Sequence, residues 1–147
     1  MSLIPFVALA VTLFAVSITD IRQRRIPNRV LMVAAGAAVV ISALEGGFAL
    51  AATLLAAAAV SSPLFVAAFL KPEGMGMGDA KLVAVIGLFL GWQALPALLL
   101  GLFTAGMAGV LISLGKRQPP SQTSLPLAPF LAAGALPVAL FGLQALQ

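Results

Sequence analysis

Residues Phe48–Leu70 read FALAATLLAAAAVSSPLFVAAFL, twenty-three positions without one charged side chain. A membrane-crossing helix needs about 20 predominantly apolar residues, because each residue rises about 1.5 Å and the hydrocarbon core is about 30 Å thick. This stretch therefore reads as a bilayer-spanning helix, kinked where Pro63 interrupts the hydrogen-bond ladder. Working outward, five further apolar runs surround it. The first is about Leu3–Thr19 and the second about Val30–Leu44. The fourth is Ala80–Leu90, extending toward Trp92, and the fifth is Leu95–Leu114. The sixth is Leu125–Ala145, with Pro129 and Pro137 inside it. The second and fourth are short for a full crossing, which flanking residues or a thinned bilayer can accommodate. The expected fold is an all-α polytopic membrane protein, a bundle of about six transmembrane helices forming one integral-membrane domain over residues 1–147.

Composition supports the same class. The chain is 62% hydrophobic and 8% charged, with a mean hydropathy of +1.16. Soluble domains carry about 25% charged residues, so lipid must be the solvent for much of this surface. No Lys or Arg precedes the first apolar run and further spans follow it, so the run reads as a retained helix rather than a cleaved signal.

The chain contains no cysteine, histidine or tyrosine. Disulfides, thiolate or imidazole metal sites, and Ser-His or Cys-His catalysis are thereby excluded. Proton chemistry is left to Asp20, Glu45, Glu73, Asp79, Lys71 and Lys81. The net charge of +4 does not point to nucleic acid, because the basic residues sit in short connections between spans, where membrane topology explains them. Arg22, Arg24, Arg25 and Arg29 follow the first span, Lys71 and Lys81 flank the connection between spans three and four, and Lys116 and Arg117 follow span five. All eight lie on one side, which the positive-inside rule makes cytoplasmic, with both termini outside. The same assignment puts Asp20 and Asp79 at the cytoplasmic ends of their helices. At opposite faces they would lie roughly 25–30 Å apart and could not act together.

An ionisable group at membrane depth is costly and marks a functional site by default. Asp20 closes the first run and is followed by Ile26-Pro27-Asn28. Pro27 redirects the chain and favours an extended residue before it, and Asn28 is placed to cap the second span. Asp79 ends the alternating series Gly74, Gly76, Gly78. Glycines there permit positive φ or close approach of another segment, and irregular backbone at membrane depth is tolerated only away from lipid. Asp79 would stand near a helix N-terminus, where negative charge is favoured. Small residues at four-residue spacing, Gly101-Ala105-Gly109 and Ala34-Ala38, read as helix-packing faces.

Together these segments resemble the type IV prepilin leader peptidases, a family of polytopic aspartic proteases. Three elements carry the resemblance: Asp20 followed by Ile26-Pro27-Asn28; Gly76-Met77-Gly78-Asp79-Ala80-Lys81-Leu82; and Pro126-Leu127-Ala128-Pro129-Phe130-Leu131-Ala132-Ala133-Gly134. The resemblance implies an Asp20/Asp79 dyad, with Gly76, Gly78, Lys81, Pro27 and Asn28 as supporting residues. Larger members carry a cysteine-containing insert and an N-methyltransferase activity. Without a cysteine or room for that insert, the chain is similar to the small peptidase-only branch that serves tight-adherence (Flp-type) pili. The Gly-x-Gly-Asp element is also similar to that of presenilin-type proteases, whose first aspartate stands in a different setting.

The implied partners are a prepilin-like membrane protein with a short basic leader before an apolar helix, the lipid bilayer, and the pilus or secretion assembly machinery. The implied location is the bacterial cytoplasmic (inner) membrane. Two carboxylates suffice for peptide hydrolysis without metal or cofactor, since neighbouring carboxylates resist double ionisation and one keeps a proton. Lys81 can position substrate or simply reach the interface. A proton- or ion-coupled transporter component using the same carboxylates is the competing reading, and a non-catalytic scaffold is a third.

Overall fold

A computed structural model of the chain describes residues 3–23, 25–70, 76–116 and 126–144. Six α-helices account for nearly all of them: α1 Leu3–Gln23, α2 Asn28–Glu45, α3 Gly47–Leu70, α4 Met77–Leu90, α5 Ala94–Lys116 and α6 Ala128–Gln144. Runs this apolar form helices because lipid offers no hydrogen-bond partner, so each N–H and C=O must be satisfied within the segment. The helices α1, α2 and α3, and the run Met77–Gly115, are each long and apolar enough to cross a membrane, and Ala128–Gln144 is a shorter apolar helix. The chain is a multi-pass α-helical membrane protein.

Two glycines make the reversals away from the aspartates. Gly46 alone separates α2 from α3 at φ 124°, with its N–H bonded to Ala43 O at 3.2 Å. Gly91 turns the chain out of α4 at φ 57°, leading through a short 3-10 turn, Gly91–Gln93, into α5. Side chains rarely adopt such φ values, so glycine is required at both points. Trp92, exposed on that turn, sits where an amphipathic ring suits a membrane–water boundary.

Small residues are frequent in the interior, beside fully buried Leu9, Leu13, Leu82 and Leu131, and many of the large side chains face outward. Ala34, Ala38, Ala56, Ala80, Ala94, Ala97, Ala135 and Ala139 are buried, whereas Phe14, Phe48, Phe69, Phe103 and Phe141 are more than half exposed. Lipid is as apolar as these side chains, so close backbone approach rather than hydrophobic burial favours the small residues at helix contacts. A Cβ on Gly87 would lie 2.6 Å from Ala57 Cα, which locks α4 against α3. Gly134 lies against Ala97 O and Gly101 N, and Gly101 against Phe130 O and Leu131 Cα. The reversed order of these pairs makes α5 and α6 antiparallel. Of the expected small-residue faces, Ala34, Ala38 and Gly101 are buried, while Ala105 and Gly109 are only half-buried. The central helix is α4: it touches each of the other five, and Leu82, Val83, Val85 and Ile86 are buried on it.

The six runs found in the sequence correspond one to one with the six helices, but their aspartate ends differ. The apolar pattern ends span one at Thr19. Instead α1 continues to Gln23, because nothing breaks a helix before Pro27, and Asp20 lies within its last turns. The same pattern starts span four at Ala80. The helix begins three residues earlier, at Met77, so Asp79 is helical. Pro129 is the second residue of α6, where its missing N–H costs nothing. Arg24, Lys71, Glu73, Gly74, Arg117 and most of the 115–124 connection lie outside the described residues.

Candidate active site

Asp20 is 6% exposed, although its helix faces lipid elsewhere. It is covered by the start of α6. Asp20 Oδ2 accepts the backbone N–H of Ala128 at 3.0 Å. This bond completes the N-terminus of α6, whose first N–H groups have no intrahelical acceptor. Leu127, at the cap position, has no side-chain oxygen to offer. Pro129 has no N–H, and the N–H groups of Phe130 and Leu131 bond Leu127 O at 3.1 and 3.0 Å. Ala128 N–H is the donor left over, and α1 supplies its acceptor. Asp20 thus caps another helix while holding one oxygen in a fixed place.

The second aspartate is placed by its own helix start. Gly76 precedes α4 in an extended conformation, φ −71° and ψ 138°, and its carbonyl accepts Asp79 N–H at 3.1 Å. The Asp79 side chain folds back over this turn. A Cβ on Gly76 would sit 3.2 Å from Asp79 Oδ2. A Cβ on Gly78 would sit 3.1 Å from Ile26 Cβ, on the segment joining α1 to α2. Of the two roles the sequence allows these glycines, positive φ or close approach, the structure shows the second: the described positive-φ glycines are Gly46 and Gly91. Gly76 and Gly78 are needed for space: one makes room for the carboxylate, the other for Ile26.

Asp20 and Asp79 line one cleft of about 370 Å³ at a single end of the bundle, with Arg25, Ile26, Asn28, Gly76, Gly78 and Lys81. Lys81 Nζ donates to Asn28 Oδ1 at 3.1 Å across the rim. That bond corrects one expectation. Asn28 does not cap α2: the cap is Pro27, φ −70° and ψ 119°, whose carbonyl accepts Val30 and Leu31 N–H. Asn28 is already inside the helix, one position too late to cap it, and its side chain turns to Lys81 instead. Pro27 does not line the cleft; it sets where α2 begins. Arg25, a topology signal in the sequence, is part of the cleft wall. The role of the Ala128 N–H does not emerge from sequence reasoning, although the third sequence element contains its signal: a Pro close on either side of Ala128 marks a helix start.

The chain is similar to known proteins. A family model described as the type IV leader peptidase family matches residues 7–114. The chain belongs to the type IV leader peptidase family. It is 39% identical over 150 residues to a Bacillus subtilis prepilin leader peptidase/N-methyltransferase, an overlap covering 97% of this chain and 57% of that protein. It is 43% identical over 70 residues to a Burkholderia pseudomallei protein of the same name, covering 48% of this chain and 23% of that protein. A Pseudomonas aeruginosa counterpart is 44% identical over 61 residues, covering 41% and 21%. The chain spans little more than half the length of the first of these relatives. No solved structure matches it. Family membership leaves the transporter reading without support.

Proposed function

We propose that this type IV leader peptidase family member is a membrane aspartic endopeptidase that removes the short basic leader of prepilin-like proteins, with Asp20 and Asp79 as its catalytic pair. One observation carries the reading: carboxylates from α1 and α4, 59 positions apart in sequence, line the same cleft at the same end of the bundle. Neighbouring carboxylates hold one proton between them. The ionised member takes a proton from a water, whose oxygen adds to the scissile carbonyl carbon. The protonated member hydrogen-bonds the carbonyl oxygen, and a carboxyl proton then passes to the departing amine as the C–N bond breaks. Gly76 and Gly78 serve by leaving room, and Lys81 and Asn28 form a polar rim where the substrate chain enters.

Charge asymmetry supports a cytoplasmic face for this cleft: Arg22, Arg25, Arg29 and Lys81 stand at the aspartate end. The substrate leader is then cut on the cytoplasmic side of the bacterial inner membrane, and the mature helix stays in the bilayer for the pilus or secretion assembly machinery. We assign only the peptidase activity to the chain and read its 147 residues as one peptidase domain. The relatives named above also carry an N-methyltransferase name, and the cysteine-free sequence favours the peptidase-only branch.

The test is co-expression with a prepilin from the same genome, reading leader removal as a gel shift for wild type, Asp20→Asn and Asp79→Asn. Cleavage by wild type and none by either inserted variant is the expected result. Normal cleavage by both variants would end the dyad reading.

A further inference from the structure

Two apolar grooves flank α2. One, about 530 Å³, lies between α1 and α2 and is lined by residues including Ala8, Val33 and Ala37, with Arg29 at one end. The other, about 330 Å³, lies between α2, α3 and α4 and is lined by Leu31 and Ala35, Phe65, and Ala84 and Leu88. Volume alone favours the first. Contiguity favours the second, because Asn28 and Lys81 line both it and the aspartate cleft. The α1–α2 groove shares no residue with that cleft.

We propose that the α2–α3–α4 groove is the docking site for the apolar helix of the membrane-anchored substrate, and that the Asn28–Lys81 pair marks where that helix gives way to the scissile segment. The proposal rests on the peptidase reading and deepens it. Its basis is a match of chemical order. The substrate runs from polar leader through scissile bond to apolar helix. The site runs from the carboxylate cleft through one polar pair to a groove whose remaining lining is apolar. Lys81 and Leu88 are seven residues apart on α4, so the groove follows about two helical turns, roughly 10 Å, from the cleft toward mid-bilayer. Ala35 and Ala84 keep its walls shallow, which lets a second helix approach closely. A helix seated there is held by packing along its side, so the bond to be cut arrives at the carboxylates already oriented, and orientation is a large part of the rate.

The absence of cysteine from the chain gives a test that does not depend on catalysis. Single Ala35→Cys, Ala84→Cys and Ala37→Cys variants are made in an Asp79→Asn background. Each is co-expressed with a prepilin-like substrate carrying one cysteine in the first two turns of its apolar helix, and membranes are oxidised. The expected result is a disulfide-linked species at Ala35→Cys and Ala84→Cys, an order of magnitude more abundant than at Ala37→Cys. Cross-linking confined to Ala37→Cys, or to none of the three, would overturn the proposal; the latter is also the result if only lipid fills the groove. Cleavage by the otherwise wild-type protein, scored in parallel, reports separately on the peptidase reading. Cross-links without any cleavage would therefore keep the docking site and discard the peptidase reading.

Discussion

Asp20 Oδ2 accepts the backbone N–H of Ala128 at 3.0 Å, across 108 positions of sequence. The bond joins the end of α1 to the start of α6 and gives a candidate catalytic carboxylate a second, structural task. It also separates two substitutions that would otherwise be treated as equivalent.

Asparagine retains an oxygen acceptor and caps helices about as well as aspartate, whereas alanine does not cap. Asp20→Asn is expected to melt within about 0.5 kcal/mol of wild type in detergent yet to lack cleavage. Asp20→Ala should lose cleavage and also about 0.5–2 kcal/mol of stability. Equal melting of the two variants would show that the cap contributes nothing.

The glycines before Asp79 predict a loss of activity without a loss of fold. Gly76→Ala brings a methyl to 3.2 Å from Asp79 Oδ2, and Gly78→Ala brings one to 3.1 Å from Ile26 Cβ. Each must move its neighbour by a few tenths of an ångström. Because misplacement of a reacting group by about 1 Å can cost about 100-fold, each is expected to lower leader cleavage by roughly ten- to a hundredfold while membrane insertion persists. Gly36→Ala, with nothing within 4 Å, is the control and should cleave normally.

Packing glycines should show the opposite pattern. Gly134 lies directly against Ala97 O and Gly101 N, and Gly87 against Ala57 Cα, all of it backbone that cannot turn aside. Gly134→Val and Gly87→Val are expected to destabilise by at least about 1–3 kcal/mol, the usual cost of overpacking, with cleavage lost in proportion to folded protein. Thermal unfolding followed by size-exclusion profile checks this. Unchanged melting would mean that the helix pairs separate more easily than their geometry implies.

Lys81 is exposed, and its bond to Asn28 Oδ1 is an exposed side-chain pair. Such pairs contribute little stability, about 0–1 kcal/mol. Lys81→Met should therefore leave melting nearly unchanged. If the ammonium helps to seat the substrate chain at the cleft rim, cleavage should fall about tenfold, the 1.4 kcal/mol scale of one charge-assisted hydrogen bond. Full activity in Lys81→Met would reduce the residue to an interfacial anchor.

Much of this protein is legible in its amino-acid sequence. Six apolar runs separated by Gly, Pro and Arg-rich connections admit few folds other than a helical membrane bundle, because a backbone in lipid must satisfy its own hydrogen bonds. Asp20 and Asp79 stand out for an equally simple reason: carboxylates next to apolar runs are expensive and few. Tertiary structure decided what sequence spacing does not encode. Which helix start covers Asp20 depends on α6 packing against α1, a contact 108 positions distant. Asn28 reads as a cap because its type suits capping, but a cap depends on where the helix begins, and Pro27 fixes that one residue earlier. Gly76 and Gly78 suggest backbone freedom or close approach; that it is close approach, and that Asp79 and Ile26 are what approaches, appears only when neighbouring segments are in place. Local sequence determined the secondary structure and the reactive residue types, since both follow from short-range periodicity and desolvation cost. The convergence of two carboxylates on one cleft belongs to helix packing, which depends on the shapes of surfaces far apart in the chain.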